Sequence, residues 1–234
     1  MNPITYSSLD PASIFCVGKN YHTHALEMAA WEQAAGNCAD HHTREPVLFL
    51  KPGTALQKEP WTAIPLYRGK PIASDMQFEV ELVLLIGKDA CNVSGSQARS
   101  CIAAYGVGLD MTLRDLQLQS KKEGNPWLSS KGFMGSSPVS DMIPADTVGP
   151  EGELQVSLWL NGTRVQHGKA ADMTWSPEAL VTWISSIYGL RKGDMIFTGT
   201  PHGVGSVQPG DRLLMTLANA GGILSSREIT VRKP

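Results

Sequence analysis

The 234-residue sequence has no excess of either charge: 20 Lys+Arg stand against 22 Asp+Glu, a formal net charge of −2, and charged residues make up only 18% of it. They are spread without a run of like sign. The chain therefore offers neither the basic stripe that a nucleic-acid backbone or an anionic membrane needs nor the high net charge of a disordered acidic scaffold. No apolar run approaches the ~18–20 residues of a membrane-spanning helix. The opening residues, MNPITYSSLDPAS, lack the basic start and apolar centre of a secretory signal. Cysteine is scarce. Cys16, Cys38, Cys91 and Cys101 include no C-x-x-C pair, and a chain this long needs no disulfide staples, so they read as reduced thiols of a cytoplasmic protein. There is no G-x-S-x-G nucleophile elbow. The glycine-rich run from Gly199 to Gly205 lacks the Lys-Ser/Thr ending of a phosphate loop, and Gly106-Val107-Gly108 lacks the spacing of a dinucleotide fingerprint. Nucleic acid, membrane and nucleotide are excluded, which leaves small molecules as partners.

What is present is a 42% hydrophobic chain punctuated by 23 Gly and 15 Pro, enough for one packed domain of short strands, turns and a few helices. Strands are expected at Ile14 to Gly18, Val47 to Leu50 and, most strongly, Phe78 to Ile86. Gly95 to Tyr105 reads as a helix running into an apolar stretch that ends at Asp110, and Thr112 to Lys122 as a second helix. Alternation from Leu154 to Leu160 leads into Asn161-Gly162, a two-residue hairpin signal, with Thr163 to His167 as the return strand. Ser176-Pro177 opens a helix as N-cap and first residue, and Gly189 closes it. The fold class is α+β, mainly β.

Within Phe78 to Ile86, period-two alternation places Glu79 and Glu81 on the same face as Val83 and Leu85, with the two carboxylates ~7 Å apart along the strand. Two readings are open: a strand whose first half faces water, or a buried face whose glutamates need a cation. A third carboxylate, Asp110, ends the apolar run from Tyr105 to Leu109, where it also suits a helix N-cap. Three oxygen ligands with room for water and substrate suit Mg²⁺, with Mn²⁺ as the alternative, rather than zinc. His24 and Glu27 form an i,i+3 pair that is either a solvated helix face or a carboxylate-oriented imidazole suited to activating water. The His41-His42 pair sits in a polar stretch with no third ligand and reads as a loop.

These residues fall in a series of motifs: Val17-Gly18-Lys19-Asn20-Tyr21 with His24 and Glu27, Glu45 to Pro52, Phe78 to Leu82, Gly106 to Gln117, Ser130-Lys131-Gly132-Phe133, Asn161-Gly162 and Gly193 to Pro201. In that order, over nearly the whole chain, they resemble the fumarylacetoacetate hydrolase family, in particular its short bacterial members. The resemblance implies a β-roll or sandwich like that family's C-terminal domain, in one catalytic domain over residues 1–234 and usually a homodimer. It implies a divalent metal held by Glu79, Glu81 and Asp110, with Lys131 beside it. Arg114, Gln117, Tyr21 and Thr200 would bind substrate, and residues 19–45 would form a mobile lid bringing His24 and Glu27 over it. The implied substrate is a small 2-oxo acid. The expected reaction is C–C hydrolysis of an acylpyruvate through a metal-stabilised enolate. Oxaloacetate tautomerisation or decarboxylation, or isomerisation of a 2-hydroxy-dienedioate, is the alternative, and a non-catalytic 2-oxo acid binding protein is an alternative of another class. Lys19 stands where many relatives carry Arg, Met134 where an Asp is common, and the stretch from Ala29 to Arg44 is longer than in the short members.

Overall fold

The structure, a computed structural model, describes residues 2–21 and 45–234. In chain order the principal elements are β1 (Ser13–Gly18), β2 (Val47–Pro52), β3 (Trp61–Thr62), β4 (Val80–Ile86), β5 (Ile102–Leu109), α1 (Arg114–Glu123), α2 (Leu128–Lys131), β6 (Ile143–Pro144), β7 (Gln155–Leu160), β8 (Thr163–Lys169), α3 (Pro177–Ile187), β9 (Met195–Phe197), β10 (Arg212–Asn219) and β11 (Gly222–Val231). Six of the strands form one sheet in the order β6-β5-β4-β9-β1-β2, and five form another in the order β8-β7-β10-β11-β3. Within these two sheets, pairing is antiparallel except for β1 with β9 and β11 with β3. The chain is thus α+β and mainly strand, as expected.

β4 explains why the two sheets enclose one core. All seven of its residues are buried. Leu82, Leu84 and Ile86 join the larger apolar cluster together with Val156, Leu158, Met215 and Leu217 of the five-stranded sheet. Val83 and Leu85 point the other way, into a second cluster with Ile14, Cys16 and Phe197. A strand apolar on both faces belongs in the middle of a sheet covered on both sides. Truncating any of its fully buried leucines should cost ~2–5 kcal/mol.

Local signals act where they were expected. Asn161 and Gly162 take φ of 51° and 87°, the left-handed pair of a tight hairpin turn between β7 and β8. Ser176 Oγ accepts from Ala179 N at 3.2 Å at the start of α3, and Gly189, at φ 70°, follows its last turn. One element differs. The helix expected over Gly95 to Tyr105 covers only Gly95–Ala98 with a 3-10 turn at Arg99–Cys101, and strand β5 starts at Ile102. From there the residues pair along β4, from Ile102 opposite Ile86 to Leu109 opposite Val80. Tertiary pairing overrides local helix tendency in that stretch. α1 likewise begins at Arg114, because Thr112–Leu113 pair with Met76 and Gln77.

Candidate active site

The β4–β5 register builds the site. Val80 lies opposite Leu109 and Glu81 opposite Gly108, and just beyond the ladder Asp110 N donates to Glu79 O at 2.8 Å. Glu79, Glu81 and Asp110 are thereby brought together, each buried, with ligand oxygens within 4.8 Å of one another. A second loop holds Glu81 from the other side: Gly199 N donates to Glu81 Oε2 at 2.6 Å. Gly199 has φ +104°, and a Cβ there would meet Asn20 Cβ at 2.7 Å, so position 199 is restricted to glycine.

Three cations surround the carboxylates. Lys131, at the end of α2, donates from Nζ to Glu79 Oε2 at 2.7 Å and to Asp110 Oδ2 at 2.6 Å. Arg114, the first residue of α1, donates from Nη2 to Glu79 Oε1 at 2.5 Å and from Nε to Gln77 Oε1 at 2.8 Å, and Nη1 donates to Gln117 Oε1. Lys51 Nζ stands 2.8 Å from Asp110 Oδ1 and donates to Ser136 Oγ at 2.9 Å and Ser136 O at 3.0 Å. Asp110 Oδ1 is close enough to Lys51 for an ion pair but accepts no hydrogen bond.

Burial pushes the Glu81 carboxyl well above the ordinary range, and the charges of Asp110 and Glu79 push it further. Burial alone would lower the Lys131 ammonium, yet Asp110 and Glu79 outweigh it and hold it above the usual lysine value. At Glu81 the repulsion from Asp110 and Glu79 adds to the cost of burial, and a bound cation would relieve it. A donor set made only of carboxylates, with one buried oxygen short of a hydrogen bond, fits a hard divalent ion.

The group opens into a cleft of about 390 Å³, open solvent at its mouth included. Arg114, Gln117, Lys131 and Thr200 line it with the three acids, so seven of the ten expected site residues meet in one place. Tyr21 is 2% exposed, pairs with Met173 and does not line the cleft, and its hydroxyl has no hydrogen-bond partner among the described residues. His24 and Glu27, and most of the 19–45 segment, lie outside the described residues.

Several supporting residues had no assigned role from sequence: Lys51, Gln77, Ser136, Asn20 and Gln166. Gln166, on β8, accepts from Val80 N at 2.9 Å and donates to Thr200 Oγ1 at 2.9 Å and Pro201 O at 2.8 Å, tying the start of β4 to the loop that carries Thr200. Asn20 is fully buried; it donates to Thr198 O at 2.7 Å and Trp175 O at 3.0 Å and accepts from Trp175 N at 2.7 Å. The one available signal was Lys51, a lone cation between apolar strand residues.

Fold and site together define a sheet-rich, metal-dependent enzyme built around a carboxylate centre. The family model for fumarylacetoacetate (FAA) hydrolase C-terminal matches residues 13–227. The chain is 40% identical over 208 residues to the oxaloacetate tautomerase YcgM of Escherichia coli (strain K12), covering 88% of each chain. It is 37% identical over 216 residues to the mitochondrial oxaloacetate tautomerase FAHD1 of Bos taurus, covering 92% of this chain and 90% of that one. The crystal structure of fumarylpyruvate hydrolase from Pseudomonas aeruginosa in complex with Mn²⁺ and pyruvate superposes with a TM-score of 0.84 at 32% identity, over 100% of this chain and 96% of that one. The chain belongs to the fumarylacetoacetate hydrolase family. Among the described residues no helix is long and apolar enough to cross a membrane.

Proposed function

We propose that this enzyme acts on small 2-oxo acids and that its main reaction is the keto–enol tautomerisation of oxaloacetate. The observation that carries the reading is the convergence of Glu79, Glu81 and Asp110 with Lys131 and Arg114 in one cleft. Oxaloacetate is supported by the two tautomerases at 37–40% identity. Glu79, Glu81 and Asp110 are the residues that hold a divalent ion, Mg²⁺ in our reading. The ion supplies Lewis-acid polarisation of the 2-oxo carbonyl.

The remaining chemistry is the chain's own. Arg114 presents a planar fork of donors beside Gln117, which suits a substrate carboxylate. Lys131 Nζ, kept cationic by Glu79 and Asp110, places positive charge where the carbonyl oxygen gains negative charge as the neighbouring carbon loses its proton. Thr200 Oγ1, fixed by Gln166, supplies a hydroxyl on the far wall. The His24–Glu27 pair is the base of this scheme.

C–C hydrolysis of an acylpyruvate is a second reading, supported by the likeness to fumarylpyruvate hydrolase over the whole chain. It needs a base to deliver water to a second carbonyl, and His24 with Glu27 is the candidate. Assays of oxaloacetate tautomerisation and acylpyruvate cleavage, with and without Mg²⁺ or Mn²⁺, test both. His24→Ala should impair tautomerisation as well as cleavage; a variant that loses cleavage and spares tautomerisation would remove the pair from the tautomerase scheme and assign it to water activation. A protein that turns over neither acid with either metal fails the proposal. The reading also includes a cytoplasmic homodimer, which light scattering checks.

A further inference from the structure

We infer that Gln166 fixes the Thr200 hydroxyl as a hydrogen-bond donor toward the ligand, so that this wall of the cleft selects an oxygen acceptor and rejects a group that carries N–H or O–H. The inference rests on the 2-oxo acid reading above and adds to it a residue that sets selectivity from behind the cleft.

The orientation of the Gln166 amide follows from its backbone partners. Val80 N can only donate and Pro201 O can only accept. Gln166 Oε1 accepts from Val80 N at 2.9 Å, and Nε2 donates to Pro201 O at 2.8 Å. Exchanging the amide oxygen and nitrogen would set donor against donor and acceptor against acceptor. Gln166 is 2% exposed, so no water would relieve the mismatch. The second N–H of the same nitrogen points at Thr200 Oγ1, 2.9 Å away. Thr200 Oγ1 must therefore accept there, and its single proton is left to point elsewhere. Among the described residues that hydroxyl donates to no group, and Thr200 lines the cleft.

Gln117 is set by the same logic. A guanidinium has no acceptor, and Arg114 Nη1 donates to Gln117 Oε1, so Gln117 Nε2 is the atom turned away from Arg114. Thr200 and Gln117 are the two uncharged side chains of the lining that could either donate or accept. A neighbour turns each of them into a donor.

The fold provides for the contact. Gln166 and Gly168 share one face of β8 by period-two alternation. A Cβ at 168 would lie 2.8 Å from Pro201 Cβ, and one at 203 would lie 2.4 Å from Val165 O. Glycine at both positions lets the loop carrying Thr200 lie against β8, within reach of the Gln166 amide. Gln166 itself does not line the cleft, so it acts through Thr200 as a positioning residue.

Oxalate and oxamate differ by one replacement of O by NH2: both ends of oxalate accept, whereas the amide nitrogen of oxamate donates. Their charges differ as well, but Thr200→Val and Gln166→Met leave the charge of the protein unchanged, so a change in preference between the two anions reports the polarity of the wall. In calorimetry on the full-length protein loaded with Mg²⁺, Thr200→Val should lower the preference for oxalate about tenfold and Gln166→Met several-fold. The double variant should fall no further than Thr200→Val alone, because Gln166 acts through Thr200. An unchanged preference in either single variant overturns the inference. Additive losses in the double variant, the result of a general loosening of the loop, also overturn it. If Gln166→Met does not fold, Gln166→Glu, of the same shape, is measured in the same cycle, where the Thr200→Val background cancels its added charge. A wild-type protein that binds neither Mg²⁺ nor oxalate defeats the 2-oxo acid reading itself; one that binds both, with a preference indifferent to these substitutions, defeats only the role of Gln166.

Discussion

Gly108 stands directly opposite Glu81 in the β4–β5 ladder, and its missing side chain is what lets the two strands and β9 close up around the carboxylates. A Cβ at 108 would lie 2.7 Å from Phe197 Cε1 and 2.9 Å from Val83 Cγ2. Both neighbours are fully buried and have nowhere to move. Gly108→Ala should cost ~1–3 kcal/mol in urea unfolding. Because Asp110 is two residues further along, the same change should also weaken Mg²⁺ binding at least several-fold by calorimetry. A stable variant with unchanged Mg²⁺ affinity would show that the register tolerates displacement.

Removing divalent ions by dialysis against a chelator should abolish turnover and lower the melting temperature, and Mg²⁺ or Mn²⁺ should restore both. A ligand present at 100 times its dissociation constant stabilises by about 2.7 kcal/mol. Glu81→Gln removes one of three buried carboxylates and should eliminate most of that thermal shift, measured by differential scanning fluorimetry.

How much of this was legible in the sequence depends on the range of the interactions. The alternation of Glu79 and Glu81 with Val83 and Leu85 marked the strand and put the two acids on one face but left open whether that face meets water; the structure buries every residue of β4. Asp110 stood out by its place at the end of an apolar run. Asn161-Gly162 gave the hairpin, because a left-handed turn is a local demand. The misread stretch was Gly95 to Tyr105, whose second half is strand only because β4 pairs with it. Gln166 was invisible as part of the site for a related reason, and Lys51 showed only as a lone cation in a strand, with nothing to say what it pairs with. Lys51 gains its role from Ser136, 85 positions away, and Gln166 from Val80, 86 positions away, and a single polar residue in a strand shows no periodicity.

Glu151 should make stability depend on pH. Its carboxyl, 9% exposed, accepts from the Tyr105 hydroxyl. Burial first, and then the charge of Glu178, raise it to about 7, against a smaller lowering by Arg99. The folded protein thus holds this proton more tightly than the unfolded chain does. The contribution is full below the ordinary carboxylate value, near 4.5, and is lost as pH rises through 7. The slope is at most about 1.4 kcal/mol per pH unit. Glu151→Gln fixes the neutral state, so the difference in melting temperature between variant and wild type should grow in the variant's favour from pH 5 to pH 8. A difference constant over that range would remove Glu151 from the pH response.

Arg227 should be the most damaging single substitution outside the site. It is 7% exposed, and its guanidinium donates to four carbonyls: Gln57 O at 2.9 Å, Val139 O at 2.7 Å, Lys58 O at 3.0 Å and Glu59 O at 2.8 Å. It also sits 3.7 Å from the centre of the Tyr6 ring, so one side chain gathers the 57–59 loop, residue 139 and the N-terminal segment. Val139 in turn bridges to Gly108, which connects this support to β5. Arg227→Met keeps much of the apolar stem but leaves four carbonyls to find water, at a cost of about 3–5 kcal/mol. For a chain of this size that corresponds to a fall in melting temperature of roughly 10 °C. Arg227→Lys should recover only a minor part, because a single ammonium cannot reach carbonyls arranged for a fork. If Lys restored full stability, the charge rather than the geometry of the fork would be what holds these segments together.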